Sequence, residues 1–495
     1  MGGVGDVRDA RVTSKMSVKS TLKWRKWAER VPSIDLWTIG RPLRVATDCS
    51  GLGCAEVSLQ TIAAVHGGSV HHVFSCDVWS GSQRRLQSIG MEAILKDMNM
   101  RVWNEGTLTT KDLEGKVRIY GRSDNLDIYV CGFMCTPFTP NGQRKEWADE
   151  HAKTFFSAIK TIASLRPRVA ILENVIAISN NSNSKVVKRA LGNLRDYVVL
   201  YLKVNAADFG VPHHRLRIYM VGFRKDALKD IFADKPQALL EKFLQRKVDQ
   251  CGQPCEIDFV DWLAVMGYPV VKSLRSTTTM AEEESEEESE QPTCNCNGPT
   301  AICELHPCKC PKCGKFGEKA RRCVWRRTHR LHMKSVKFVL KRRAHLAAWR
   351  KVKNDKTLKQ TPKYFAMVKS LGMDSEVVCQ RGRRDLLDIC AQEGSIMSKV
   401  CILNLSKSLG RTQLRKDGLV PTMGHGCLGL FLPGFATYLS IEQLMCLTGF
   451  DPRLHKGVFK IIKDQKESDM ELLVGNAMSV PVIGIISGCA LSMLK

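Results

Sequence analysis

A chain of 495 residues is too long for one ordinary domain, so two or three are expected, and 44% hydrophobic content is enough for a large core. The formal net charge of +25 points to a polyanionic partner, nucleic acid or an anionic surface. The first forty residues scatter Lys and Arg without an apolar run, and Asp6 stands where a myristoylation signal wants Ser or Thr; this argues against a secretory route. Without that route, the 20 Cys read as metal ligands, catalysts or buried thiols, not as a disulfide framework.

In chain order, an N-terminal extension (1–40) precedes a stretch where short apolar runs alternate with helical spacing, as βαβ units do. Strands are expected at Leu43–Thr47, His72–Cys76, Asp127–Cys131, Val169–Leu172, Tyr197–Val204 and Arg217–Gly222, with a helix across His151–Ser164. The expected fold class is therefore α/β, a doubly wound and mostly parallel sheet whose ligands sit at the carboxyl ends of the strands. Composition changes after residue 226. An acidic run of seven Glu and two Ser fills 282–290, a Cys-dense stretch follows at 294–323, and 321–370 carries seventeen Lys or Arg against one acid, Asp355. That last segment holds +16 of the +25, the distribution of a contact surface. From about Leu419 the chain is apolar again. Leu472–Leu494 is almost uncharged, but Gly475, Asn476 and Pro481 interrupt it, so a buried element is expected, not a membrane span.

Four motifs carry chemistry. A Gly-rich turn, Asp48-Cys49-Ser50-Gly51-Leu52-Gly53-Cys54, follows the first strand, and Asp77 ends the second; together they suit a nucleoside cofactor without separating NAD from S-adenosylmethionine (SAM). Cys135, in Gly132-Phe133-Met134-Cys135-Thr136-Pro137-Phe138, lies on a loop at a strand end, where a thiolate can act as a nucleophile and where a plain buried thiol is the bland alternative. Glu173-Asn174-Val175 follows another strand, placing a carboxyl at the same edge. Arg215 and Arg217, two apart on a strand, share a face suited to a base carbonyl or a phosphate.

Asp48–Gly53, Asp77, Met134–Phe138, Glu173–Val175, Arg215-x-Arg217, Leu439–Phe450 and Gly475-Asn476-Ala477 occur in the order and with the spacing of the cytosine C5-specific DNA methyltransferase motifs. The chain resembles that SAM-dependent family over roughly residues 43–224 and 419–495. The resemblance implies a class I SAM-dependent methyltransferase fold with an inserted target-recognition domain. It implies that Cys135 attacks C6 of a flipped-out cytosine, that Glu173 bonds N3, and that Arg215 and Arg217 hold the O2 edge and the catalytic loop. It places Asp48, Gly51, Gly53, Asp77, Asn476 and Ala477 at SAM, with Asp97 as a further contact to the adenine. Three positions depart from the pattern: Met134-Cys135-Thr136 replaces Pro-Cys-Gln, which removes a φ restraint from the loop; His213 stands for Gln; and Cys49 stands for an aromatic.

On this reading 41–226 is the catalytic domain, 227–418 the target-recognition region, and 419–495 a return to the catalytic domain. Cys294, Cys296, Cys303, Cys308, Cys310, Cys313 and Cys323, with His306 among them, have the density of structural zinc sites, and Cys251-x3-Cys255 is a further candidate pair. Trp325, Trp349, Tyr364 and Phe365 interleave the basic stretch as stacking groups for DNA, the expected partner; its apolar positions also suit a packed amphipathic helix. Phe138-Thr139 is similar to the branch of the family that modifies transfer RNA, so RNA is the alternative substrate. An inactive nucleic-acid binder and an NAD enzyme are the remaining readings. A nuclear location would follow only from DNA as substrate and from basic runs such as Lys341-Arg342-Arg343.

Overall fold

A computed structural model describes residues 26–38, 40–138, 146–271, 398–405, 415–424, 427–462 and 465–495. The cysteines from Cys294 to Cys323, the acidic run and the basic stretch lie outside the described residues. The described residues fall in one compact unit formed by 1–273 and 373–495.

The chain opens the sheet with β1 (Leu43–Asp48), crosses through α1 (Cys54–Val65) to β2 (Val70–Cys76), then through α2 (Ser80–Ser88) to the short β3 (Ile94–Leu95). A small antiparallel sheet of β4 (Val102–Asn104), β5 (Thr107–Lys111) and β6 (Val117–Gly121) intervenes before β7 (Ile128–Cys131). After β7 come α3 (Lys153–Leu165), β8 (Val169–Val175), α4 (Asn181–Gly192), β9 (Tyr197–Asn205) and β10 (Leu216–Arg224). The main sheet runs β3-β2-β1-β7-β8-β10-β9, parallel except for β10, which is antiparallel to both β8 and β9. All six strands read from the sequence are present, five of them one to three residues longer than expected and β7 starting one residue later; the small sheet was not anticipated.

Alternation along the strands splits the core in two, because successive side chains face opposite ways. Val45, Ile128, Val130, Val169, Ile171 and Leu202 face one layer, while Ala46, Phe74, Tyr129, Cys131, Ala170 and Leu172 face the other. The second layer is completed by Phe155, Ala158 and Ile162 of α3. The first is completed by α1 and by a helix from the far end of the sequence.

Helices α5 (Gln237–Cys251) and α6 (Phe259–Val265), at the head of the segment assigned to target recognition, contribute buried Leu240, Leu244, Val248, Phe259 and Trp262 to the first layer. The chain then returns through α7 (Ile441–Cys446), α8 (Glu467–Asn476) and α9 (Val480–Leu491). Every residue of α9 is buried, and it packs on α1, α5 and β8. The stretch Glu467–Leu491 has the apolarity of a membrane span, but α9 spends it inside the protein, on the sheet. Trp27 and Val31 also enter this core, against Gly484 and Gly488 of α9.

Candidate active site

The turn after β1 reverses the chain in little space. Cys49, Gly51 and Gly53 take left-handed φ values of 50°, 56° and 75°, a region that costs an L side chain energy and glycine nothing. A Cβ on Gly53 would lie 2.6 Å from Ile89 Cδ1, the movable end of a side chain, so its φ is the stronger demand for glycine, whereas a Cβ on Gly51 would meet nothing within 4 Å. Gly51 therefore borders open space, and its N–H donates to Asp77 Oδ2 at 2.9 Å while Trp79 N–H donates to Asp77 Oδ1 at 2.9 Å. The Ser82 side chain also bonds this carboxylate, which leaves one of its four lone-pair sites open, and burial raises its pKa. A fixed carboxylate beside an open glycine fits the sugar of a nucleoside cofactor.

Asp48 behaves differently. Its carboxylate is 1% exposed and is held by both Nη atoms of Arg101, with Nη1 at 2.6 Å from Oδ2, while Tyr129 Oη donates to Oδ2 at 2.6 Å. Arg101 Nη1 also donates to Thr161 Oγ1 of α3 at 3.2 Å. Asp48 is thus committed to an internal ion pair that ties β1 to the chain entering the small sheet. No spacing rule announces it, because Arg101 lies 53 residues away. Asp97 caps the short turn after β3 by accepting from Asn99 N–H at 2.8 Å. At the end of α8 Asn476 is exposed and Ala477 buried. The Cys49 thiol lies 3.6 Å from Met98 Sδ.

Cys135, Glu173 and Arg217 come together at neighbouring strand ends. Glu173 lies inside β8, not beyond it as the sequence implied, and is paired in register with Tyr219 of β10, with Arg217 opposite Val175. Antiparallel register puts the Glu173 and Arg217 side chains on one face, and Arg217 Nε lies 3.3 Å from Glu173 Oε1. That oxygen is buried yet accepts no hydrogen bond, a poorly satisfied acceptor of the kind found where a ligand completes the set. A Cβ placed on Gly132 would lie 3.8 Å from Glu173 Oε2 and 3.5 Å from Met478 Cε, ordinary contact distances, so the loop that carries Cys135 runs beside the carboxyl and the chain just beyond Ala477. The half-buried Cys135 thiol is raised in pKa by burial first and by the Glu173 carboxylate next, while Arg217 and Arg215 oppose the rise.

Arg215 takes another role from the one its spacing suggested. It precedes β10, which starts at Leu216, and its Nη1 donates to the carbonyls of Met423 at 3.1 Å and Gly475 at 3.3 Å. It is 5% exposed and its pKa is pushed down to about 10 by burial. Arg215 therefore straps the returning chain to the site through the Met423 and Gly475 carbonyls. Beside it, His213 is fully buried, with Nδ1 3.2 Å from the Leu447 carbonyl and Nε2 accepting from Met423 N–H at 3.2 Å. One donor and one acceptor are what a side-chain amide offers, so His does here what Gln can do.

The second cysteine pair separates. The Cys251 thiol donates to the Arg30 carbonyl at 3.0 Å and lies 3.7 Å from Cys489, whereas the Cys255 thiol donates to the Ile257 carbonyl at 3.3 Å. Among the described residues no cluster of His, Cys, Asp or Glu could hold a metal ion, so Cys251-x3-Cys255 forms no such site there.

Residues 50–371 match the family model of the C-5 cytosine-specific DNA methylases. The chain belongs to that family. Among curated relatives it is 37% identical over 103 residues to the type II methyltransferase M.HhaI of Haemophilus parahaemolyticus, 20% of this chain and 31% of that protein. It is 37% identical over 121 residues to M.Bsp6I of a Bacillus species, 23% of this chain and 38% of that one. The match to M.DsaV of Dactylococcopsis salina is 30% over 131 residues, 25% of this chain and 37% of that one. The chain thus aligns with well under half the length of these methylase relatives. Among solved structures, the S. pombe Dnmt2 methyltransferase superposes with a TM-score of 0.39 and 12% identity, over 91% of this chain and 98% of that one.

Proposed function

We propose that the protein is a SAM-dependent DNA (cytosine-5)-methyltransferase. One observation supports the reading above all: a thiol and an unsatisfied carboxylate oxygen at the carboxyl ends of β7 and β8 meet an arginine at the amino end of the antiparallel β10, beside a glycine turn that opens on empty space. Those three groups match what C5 of cytosine needs in order to become a nucleophile.

The cytosine must leave its stack to reach the pocket, at a cost of a few kcal/mol. Cys135 Sγ bonds to C6 as Glu173, in its protonated form, donates a hydrogen bond to N3, and electron density moves to C5. Arg217 keeps the carboxylate aimed and faces the O2 edge. SAM, when bound, supplies an activated methyl group, with Gly51, Gly53 and Asp77 as its holders and Asn476, Ala477 and Asp97 as further contacts. C5 gains the methyl carbon, a base takes the C5 proton, and the C6–S bond breaks to return the Cys135 thiolate as the ring regains aromaticity. Covalent addition divides one difficult substitution into easier steps. Asp48 and Arg215 serve this site from behind, the first through Arg101 and the second through the Met423 and Gly475 carbonyls.

Residues 227–418 carry the proposed target reading, with the basic stretch on the DNA backbone and zinc held by the cysteines from Cys294 to Cys323. Neutralising Lys and Arg in 321–370 is expected to weaken DNA binding and flatten its salt dependence, measured as the slope of log K against log salt. An unchanged slope would remove that stretch from the interface. A nuclear site of action belongs to the same reading.

DNA containing 5-fluorocytosine is the direct test, because fluorine cannot leave as a proton and the adduct persists. A SAM-dependent covalent complex, lost in Cys135→Ser, is expected. A complex formed only with transfer RNA would move the assignment to the RNA branch, and SAM binding without any adduct or transfer would indicate a binding protein.

A further inference from the structure

The catalytic loop here has Met134 where the family pattern has proline, so nothing in the covalent structure fixes the φ of the residue before the nucleophile. Two hydrogen bonds meet that deficit. The Phe133 carbonyl accepts from Asn174 Nδ2 at 2.9 Å, and the Met134 N–H donates to Thr154 Oγ1 at 3.3 Å. These two backbone groups belong to one peptide unit, which is planar. Holding its oxygen from one side and its N–H from the other fixes the orientation of the plane, and with it ψ of Phe133 and φ of Met134. A proline at 134 would constrain the same φ.

Both holders are themselves held. Asn174 Oδ1 accepts from Val175 N–H at 2.8 Å at the end of β8, next to Glu173, and is 1% exposed. Thr154 Oγ1 donates to the His151 carbonyl at 2.7 Å, which leaves a lone pair for Met134, and it sits in the first turn of α3 at 7% exposure. Past Cys135 the loop closes with Phe138 N–H on the Cys135 carbonyl at 2.9 Å, and the Phe138 ring packs 4.8 Å from Trp147.

We propose that Thr154 and Asn174 form a peptide-plane clamp that replaces the missing proline, and that Thr154 is a positioning residue setting the Cys135 thiol against Glu173. This rests on the methyltransferase reading. Thr154 touches no reacting atom; it acts through the Phe133–Met134 peptide.

The experiment measures the single-turnover rate of covalent adduct formation on 5-fluorocytosine DNA, the Kd for SAM and the melting temperature in four proteins: wild type, Thr154→Val, Thr154→Ser, and Thr154→Val combined with Met134→Pro. Thr154→Val keeps shape, removes both hydroxyl bonds, and is expected to slow adduct formation about tenfold, the effect of one lost hydrogen bond on a barrier. Thr154→Ser should keep the rate within about threefold, since its hydroxyl remains. Met134→Pro should restore most of the rate in the Val background, because proline has no N–H to strand and sets φ itself. SAM affinity should be unmoved throughout. A merely structural role would lower the melting temperature equally in both Val proteins without rescue of the rate by proline. The proposal is overturned by an undiminished rate in Thr154→Val, or by a slowed rate that proline fails to restore. If wild type itself forms no adduct, the functional reading fails instead, and the two failures stay distinct.

Discussion

At Cys135 two influences oppose each other. Burial and the Glu173 carboxylate raise the thiol, while Arg217 and Arg215 pull it down, and the net direction is upward. In the proposed mechanism the thiolate is the nucleophile, and its fraction is small at neutral pH and grows tenfold per pH unit below the thiol's pKa. Adduct formation should therefore keep rising from pH 7 to pH 9, as followed by rapid-quench trapping. A rate flat across that range would mean that ionisation of Cys135 is not limiting. His213 makes the complementary case, where chemistry is structural. Replacing it with Ala strands the Met423 N–H and the Leu447 carbonyl in a dry site, a loss of about 3 kcal/mol. His213→Gln should stay within about 1 kcal/mol, since an amide offers the same donor and acceptor. Urea denaturation separates these outcomes.

Among the elements, α9 and the chain around Trp27 are fitted to one another through missing side chains. A Cβ on Gly488 would stand 2.0 Å from Val31 Cγ1, and one on Gly484 2.4 Å from the Trp27 ring. Gly488→Ala should destabilise by about 1–3 kcal/mol through overpacking, and Val31→Ala in the same protein should recover part of the loss, as judged by thermal unfolding. Residues 1–40 read as an extension because charge is scattered through them, and Trp24, Trp27 and Trp37 on such a background give no clear period. The described part of that segment instead supplies core. The main strands were legible for the opposite reason: each carries an apolar run, and β1, β2, β7 and β8 lead within a few residues to a motif that stands out. The small sheet was not, since β4 and β6 alternate exposed Val102, Val117 and Ile119 with partly polar partners and resemble loop.

For the molecule as a whole, the site was readable where its residues lie within a few positions of a strand end, as with Cys135, Glu173 and Asp77. It was unreadable where a role depends on distant partners, as when Arg101 claims Asp48 or when Met423 and Gly475 claim Arg215. Three histidines set the acid limit of stability. His213 is held well below its ordinary pKa, and His72 and His455 are lowered to about 4, burial being the first cause in each. The folded state keeps them neutral, whereas the unfolded chain protonates them below about 6.5. Stability is thus unaffected above that pH and falls as pH drops below it, by up to about 1.4 kcal/mol per unit for each group. Melting temperatures taken between pH 8 and pH 5 should show a decline beginning near 6.5, and one smaller in His213→Gln.

The all-buried α9 has a consequence for how the protein is made. Its binding surface on α1 and β8 is formed from residues translated long before Val480–Leu491 emerge. Until then the nascent polypeptide carries an uncovered greasy wall, and closing it requires a contact of very high sequence separation, which makes assembly slow. The growing chain should therefore depend on chaperones at the ribosome, and ribosome-stalled lengths ending before residue 480 should bind hydrophobic dyes that the released protein excludes.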